Sequence, residues 1–119
     1  MAKTKIIMNI LIIRDKAKHE EVKEMLVALE SYIKLAVDIK RSIISGGGIL
    51  HADCEAVLLE DGSEQNDIWG ADWLPETKEV RFESLINIKP RQGNRSMVIQ
   101  NSEICNKVAD IVKKKFIIC

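Results

Sequence analysis

Three blocks of the chain concentrate the side chains able to do chemistry: GGGILHADCEAVLLEDGS from Gly46, DIWGADW from Asp67 and SLINIKPRQGNRSM from Ser84. In the first, His51, Asp53 and Glu55 alternate with Leu50, Ala52, Cys54 and Ala56. On an extended chain that alternation puts the three polar side chains on one face, neighbours about 7 Å apart. One imidazole with two carboxylates is the donor set of non-haem iron, manganese and zinc centres, and the equipment of acid–base catalysis. Side chains two apart on a strand diverge, so a chelate there also needs ligands from a facing strand. The competing reading is a solvated face whose charges pair across strands with Arg81 or Lys89.

The third block holds the densest cationic turn of the chain: Lys89, Arg91, Gly93, Asn94, Arg95 and Ser96. Two guanidiniums can grip a phosphate or carboxylate bidentately, and a glycine lets backbone N–H groups approach the anion. No Walker or dinucleotide fingerprint surrounds the turn, so no nucleotide class is specified. Its other reading is internal neutralisation of acidic residues. Trp69 and Trp73 share a strand face with Ala71 between them, suited either to stacking a flat ligand or to a core or dimer surface. Cys54 falls among apolar positions and Ser96 has no base beside it in sequence, so nucleophilic catalysis has little support.

The elements that must carry these blocks follow from periodicity. Asp15 is a candidate cap for a long helix over about residues 16–44, with Val22, Met25, Leu26, Leu29, Ile33, Ala36 and Val37 on one stripe and Gly46–Gly48 as its stop. From Ile49 the period changes to two, predicting a strand through Leu59, then an Asp61-Gly62 turn and a polar loop. Ile68–Leu74 and Glu79–Lys89 read as strands joined at Pro75-Glu76-Thr77, and Arg95–Ile99 as a short last strand. Asn101 or Ser102 caps a final helix with Ile104, Val108, Ile111 and Val112 on one face and Lys113–Lys115 at its end. The fold class is therefore α+β: a long N-terminal helix, an antiparallel sheet of three to four strands covered on one face, and a C-terminal helix. The apolar run Ile6–Ile13 adds a possible extra N-terminal strand. It is too short to span a membrane and lacks a small-residue cleavage site.

With 119 residues the chain is expected to form one domain, 1–119. It is 46% hydrophobic and 30% charged, as globular proteins are. Zero net charge argues against nucleic-acid binding through overall charge. Its distribution is uneven: ten acidic side chains between Ile49 and Ile88 face Lys78 and Arg81 alone, and residues 89–119 are mainly basic. Three cysteines, Cys54, Cys105 and Cys119, have no paired spacing, so neither a disulfide framework nor a zinc site is implied and a cytoplasmic setting fits.

Taken together, the blocks HADCEA, IWG and INIKPRQGNRSM resemble those of a small prokaryotic family known as a domain of unknown function. The likeness covers about residues 16–115. It marks His51, Asp53, Glu55, Asp61, Trp69, Arg91, Asn94, Arg95 and Ser96 as block positions, and it implies no activity, cofactor or partner for any of them.

Three functions compete on these residues. The first is binding of a small anionic or phosphate-bearing ligand by Arg91, Asn94, Arg95, Ser96 and Trp69. The second is a metal-dependent hydrolase or nuclease built on His51, Asp53 and Glu55, and the third an interaction module such as a toxin–antitoxin partner. Convergence of the acidic triad with the arginine turn in one pocket would favour an enzyme over a module. A long helix, two tryptophans and segregated charge also predict a homodimer. Sedimentation at micromolar concentration is expected to give twice the monomer mass, and a clean monomer would refute the dimer.

Overall fold

A computed structural model describes residues 10–117; Ile6–Asn9 of the apolar run and Cys119 lie outside them. The elements are β1 (Leu11–Ile13), α1 (His19–Met25), β2 (Ile33–Asp38), β3 (Ile43–Gly48), α2 (His51–Glu60), β4 (Ile68–Leu74), β5 (Glu79–Arg81) and α3 (Ser102–Phe116). All strand pairs are antiparallel, in the order β1-β3-β2-β4-β5. The α+β class and the C-terminal helix stand as expected, and the N-terminal run does contribute a strand, β1. The sheet has five strands, as four with the N-terminal one would give, but β2 and β3 stand in place of the strands expected at 49–59 and 95–99.

The long N-terminal helix does not form. Only its first two turns survive as α1, which starts at Lys18 rather than Asp15, where Glu21 accepts the Lys18 backbone N–H at 2.8 Å. Glu30 then adopts φ 68°, which ends helical continuity. Beyond it β-branched and aromatic residues favour strand, and Ile33, Leu35 and Val37 alternate into the core. The β2–β3 turn is held by Asp38, whose Oδ1 accepts the N–H groups of Lys40 and Arg41 at 2.9 and 3.0 Å. The glycines stop no helix. They lie in β3, and a Cβ on Gly46 would sit 2.7 Å from Leu35 Cδ2, so a larger residue there would have to displace core side chains.

The predicted strand at 49–59 is also overturned, because His51–Glu60 is α2. Cys54 and Leu58 are buried from it, and a spacing of four fits a helical stripe as well as a strand face. Alanine, leucine and glutamate dominate the segment and decide in favour of helix. Asp53 accepts the Leu50 backbone N–H at 3.3 Å across the first turn.

Helices cover both faces of the sheet, not one. Ile33, Leu35, Val37, Ile44, Trp69, Ala71 and Trp73 pack against Met25 of α1 and Val108, Ile111 and Val112 of α3. Ala36, Ile43 and Ile68 meet Cys54 and Leu58 of α2 in a smaller core on the other face. Trp73 stacks on Phe116 of α3, centroids 5.1 Å apart. Asn101 caps α3 as expected, accepting the N–H groups of Glu103 and Ile104 at 2.9 and 3.1 Å.

The Pro75–Thr77 hairpin forms, but its second strand is only Glu79–Arg81. Beyond it Ser84 accepts the Ile86 N–H and turns the chain into a short 3-10 segment, Leu85–Asn87. The side chain of Asn87 takes the strand's place, accepting the Gly70 N–H at 2.7 Å and donating to the Gly70 carbonyl at 3.1 Å. Those two bonds imitate one hydrogen-bonded residue pair of an antiparallel ladder. The last expected strand, 95–99, reduces to a single bridge between Glu83 and Val98. A Cβ on Gly70 would lie 2.5 Å from Ser84 Cβ, an atom that cannot swing away. Gly70→Ala is therefore expected to cost about 1–3 kcal/mol by overpacking. Asn87→Ala, which leaves the buried Gly70 N–H without an acceptor, should cost about 2–4 kcal/mol. Urea denaturation measures both, and wild-type midpoints would overturn the account.

Candidate functional site

α2 lies across one sheet face, and the segment from Leu85 to Gln92 runs beside it along the free edge of β4. Between them are two adjoining cavities that share Leu85 and Ile86 as a divide. The larger, of about 540 Å³, is lined by Glu55, Gln65, Lys89, Arg91 and Gln92 as well as that divide. The smaller, of about 320 Å³, lies over the first turn of α2 and is lined by Lys34, His51, Asp72, Glu83 and Met97.

The helix separates the three residues expected to act together. His51 reaches down to β4, its Nε2 2.8 Å from Asp72 Oδ1 and 3.1 Å from the Ala71 carbonyl. Both partners are acceptors, so Nε2 carries the proton and donates it, which fixes the tautomer. Asp53 serves the helix start, while Glu55, one turn beyond His51 and 8% exposed, enters the larger cavity and accepts from Gln65 at 3.4 Å. Among the described residues no group of three or more His, Cys, Asp or Glu side chains is placed to hold a metal.

The cationic turn also divides. Arg91 follows Pro90 in a 3-10 turn closed by Gly93 and faces the larger cavity with Lys89. Asn94 is 4% exposed and wholly engaged: Nδ2 donates to the carbonyls of Asn87, Ser96 and Val98, and Oδ1 accepts from Gln100. It is a structural pin. Ser96 accepts the Val98 N–H at 3.1 Å, and Arg95 is exposed on the outer side of the loop, lining neither cavity. Trp69 is 1% exposed and roofed by Lys89 Nζ at 5.3 Å, so it offers no stacking surface. Both tryptophans are core residues, which removes one ground for expecting a dimer.

The Lys89 ammonium donates to the Gln65 carbonyl at 2.8 Å. Burial pushes its pKa below the usual lysine value, opposed by the nearby charges of Glu55 and Asp67. Asp61 lies away from both cavities. It binds Arg14 at 2.7 Å and Arg41 at 2.8 Å, and hydrogen bonds from these guanidiniums hold its carboxyl below the ordinary range. The acidic segment thus draws partners from the N-terminal half as well as from Lys89. Cys54 is inert, its thiol pushed up to about 11 chiefly by burial.

Sequence reasoning missed Asp72 and Lys34. Their signal was present: each is a charged residue inside a run of apolar ones, Asp72 in Ile68–Leu74 and Lys34 between Ile33 and Leu35. They are cross-strand neighbours on the α2 face.

With the fold and its cleft described, the chain defines an α+β protein of the family of proteins of unknown function DUF5674, which it matches over residues 11–115. It belongs to that family. No curated protein and no solved structure matches it. Among the described residues no helix is long and apolar enough to cross a membrane.

The geometry separates pinning residues from ligand-facing ones. Asn94→Ala is expected to lower the urea midpoint by the equivalent of about 2–4 kcal/mol, since it strands buried carbonyls and one N–H. Arg95→Ala should leave the midpoint nearly unchanged. The reverse order of effects would return Arg95 to a structural role.

Proposed function

We propose that the protein binds a small ligand with an anionic group in the larger cavity, held by Lys89 and Arg91. The carrying observation is Lys89: a half-buried ammonium whose hydrogen bond goes to a neutral carbonyl, beside a second cation in a space of ligand size. Desolvated cations bind carboxylate or phosphate oxygens more strongly than exposed ones do. Glu55 partly offsets this charge and favours a ligand that brings a donor as well as an anion. Arg95, Asn94 and Trp69 take no direct part in this version of the site.

Phosphate, sulfate and small carboxylates are the probes. A ligand at one hundred times its dissociation constant adds about 2.7 kcal/mol of stability by mass action. The resulting rise in melting temperature should vanish in Lys89→Gln and Arg91→Gln and persist in Arg95→Gln. Burial lowers the pKa of Lys89 from 10.5, so its charge is lost at a lower pH than that of an exposed lysine. The anion effect should therefore decline as pH rises, before 10.5 is reached. Retention of the shift in both cavity variants would overturn the reading.

A further inference from the structure

The smaller cavity carries a separate observation, independent of anion binding at Lys89. His51 and Asp72 form a hydrogen-bonded pair whose side chains are each 11% exposed, and the pair lines a cavity of about 320 Å³. With Nε2 committed to two acceptors, the imidazole lone pair lies on Nδ1, which has no partner among the described residues. An imidazole whose far nitrogen is held by a carboxylate is the arrangement of a general base, the carboxylate orienting the ring and stabilising the imidazolium that forms.

We propose that this cavity is a catalytic site in which His51 acts as general base in the hydrolysis of small uncharged carboxylic esters with an apolar acyl group. The lining selects that class. Asp72 and Glu83 outweigh Lys34, so phosphodiesters and carboxylates are repelled. Leu50, Leu85 and Met97 line the cavity while remaining 56%, 70% and 38% exposed, an apolar rim open to a ligand. Water is the nucleophile. Ser84 is packed against Gly70 at 2% exposure, and the Cys54 thiol is buried and donates to the Lys34 carbonyl.

In the reaction, Nδ1 removes a proton from water as the water oxygen bonds to the ester carbonyl carbon and the carbonyl π pair moves to its oxygen. Ala52 and Lys34 line the cavity, so this negative charge develops beside the first turn of α2 and the Lys34 ammonium, which offset the acidic lining. The tetrahedral adduct then collapses, the bond to the alcohol oxygen breaks, and Nδ1 returns its proton to that oxygen. Acid and alcohol leave, and His51 is regenerated. Asp72 is a positioning residue throughout, its Oδ1 accepting the Nε2–H.

4-Nitrophenyl butyrate is the probe, tested on the full chain with H51Q, D72N and, as a control, H19Q on α1. Wild type should show saturable hydrolysis. H51Q should lose about a hundredfold in kcat/KM, within the usual range for a general base. D72N keeps an acceptor for Nε2–H but removes the charge, so its kcat should fall with KM nearly unchanged. H19Q should match wild type. Long-range proton–nitrogen NMR on wild type should find His51 protonated at Nε2 with a bare Nδ1, a reading that does not depend on any variant folding. Hydrolysis that fails to saturate, that survives in both H51Q and D72N, or a His51 protonated at Nδ1 would each overturn the proposal.

Discussion

The pair of hydrogen bonds between Asn87 and Gly70 governs how the face bearing the two cavities is assembled. β5 pairs with β4 only as far as Asp72 and Arg81, which leaves the peptide of Gly70 facing outward with neither donor nor acceptor satisfied by a strand. One side-chain amide supplies both, and its Nδ2 also reaches the carbonyls of Phe82 and Met97. Burying these groups unpaired would cost more than the bonds themselves contribute. The amide therefore fixes the path of the following chain. Leu85, Ile86, Lys89 and Arg91 are brought opposite α2 by that anchoring, and Asn94 closes the loop behind them through the Asn87 carbonyl. The same device covers a bare sheet edge that would otherwise invite pairing with another chain.

The two sheet faces divide the work between them. The α1 and α3 face is densely apolar, with both tryptophans and the aliphatic residues of β2. Its task is stability. The α2 face has a much smaller apolar core and places Lys34, Asp72 and Ser45 among it. Polar groups survive there because partners reach them: Ser45 donates to the Cys54 carbonyl at 2.6 Å, and Asp72 is met by His51. A sheet tolerates such a face where a helix crosses it incompletely and leaves room for ligand or water.

How legible this was in the sequence depended on whether local signals competed. α3 was readable from Asn101 to its lysines because its cap, stripe and charged end agree. β4 and its hairpin were readable because Pro75 and the β-rich run around Trp69 and Trp73 agree as well. Residues 33–44 were not, since their apolar spacings of three and four also suit a helix, and only Glu30 and the Asp38 turn break it. The segment from His51 failed in the opposite direction, its alternation reading as strand although Cys54 and Leu58 are a helical pair. Asn87 carries no sequence signal of its importance and Asn94 was marked only as a candidate ligand contact, because each acts on backbone that is remote until the chain is folded.

The helical register of that segment also changes what the blocks HADCEA and INIKPRQGNRSM mean. A strand would have pointed His51, Asp53 and Glu55 the same way and offered one site. On α2 the spacing of four stacks His51 and Glu55 a turn apart, while Asp53 turns back to the helix start. One and a half turns of helix thus serve three purposes: a ring hydrogen-bonded to β4, a carboxylate in the neighbouring cavity, and a cap that holds both in place. Opposite them, Leu85 and Ile86 divide a cavity rich in cations from one in which acids prevail. Two cavities whose linings differ in charge thus lie along a single helix.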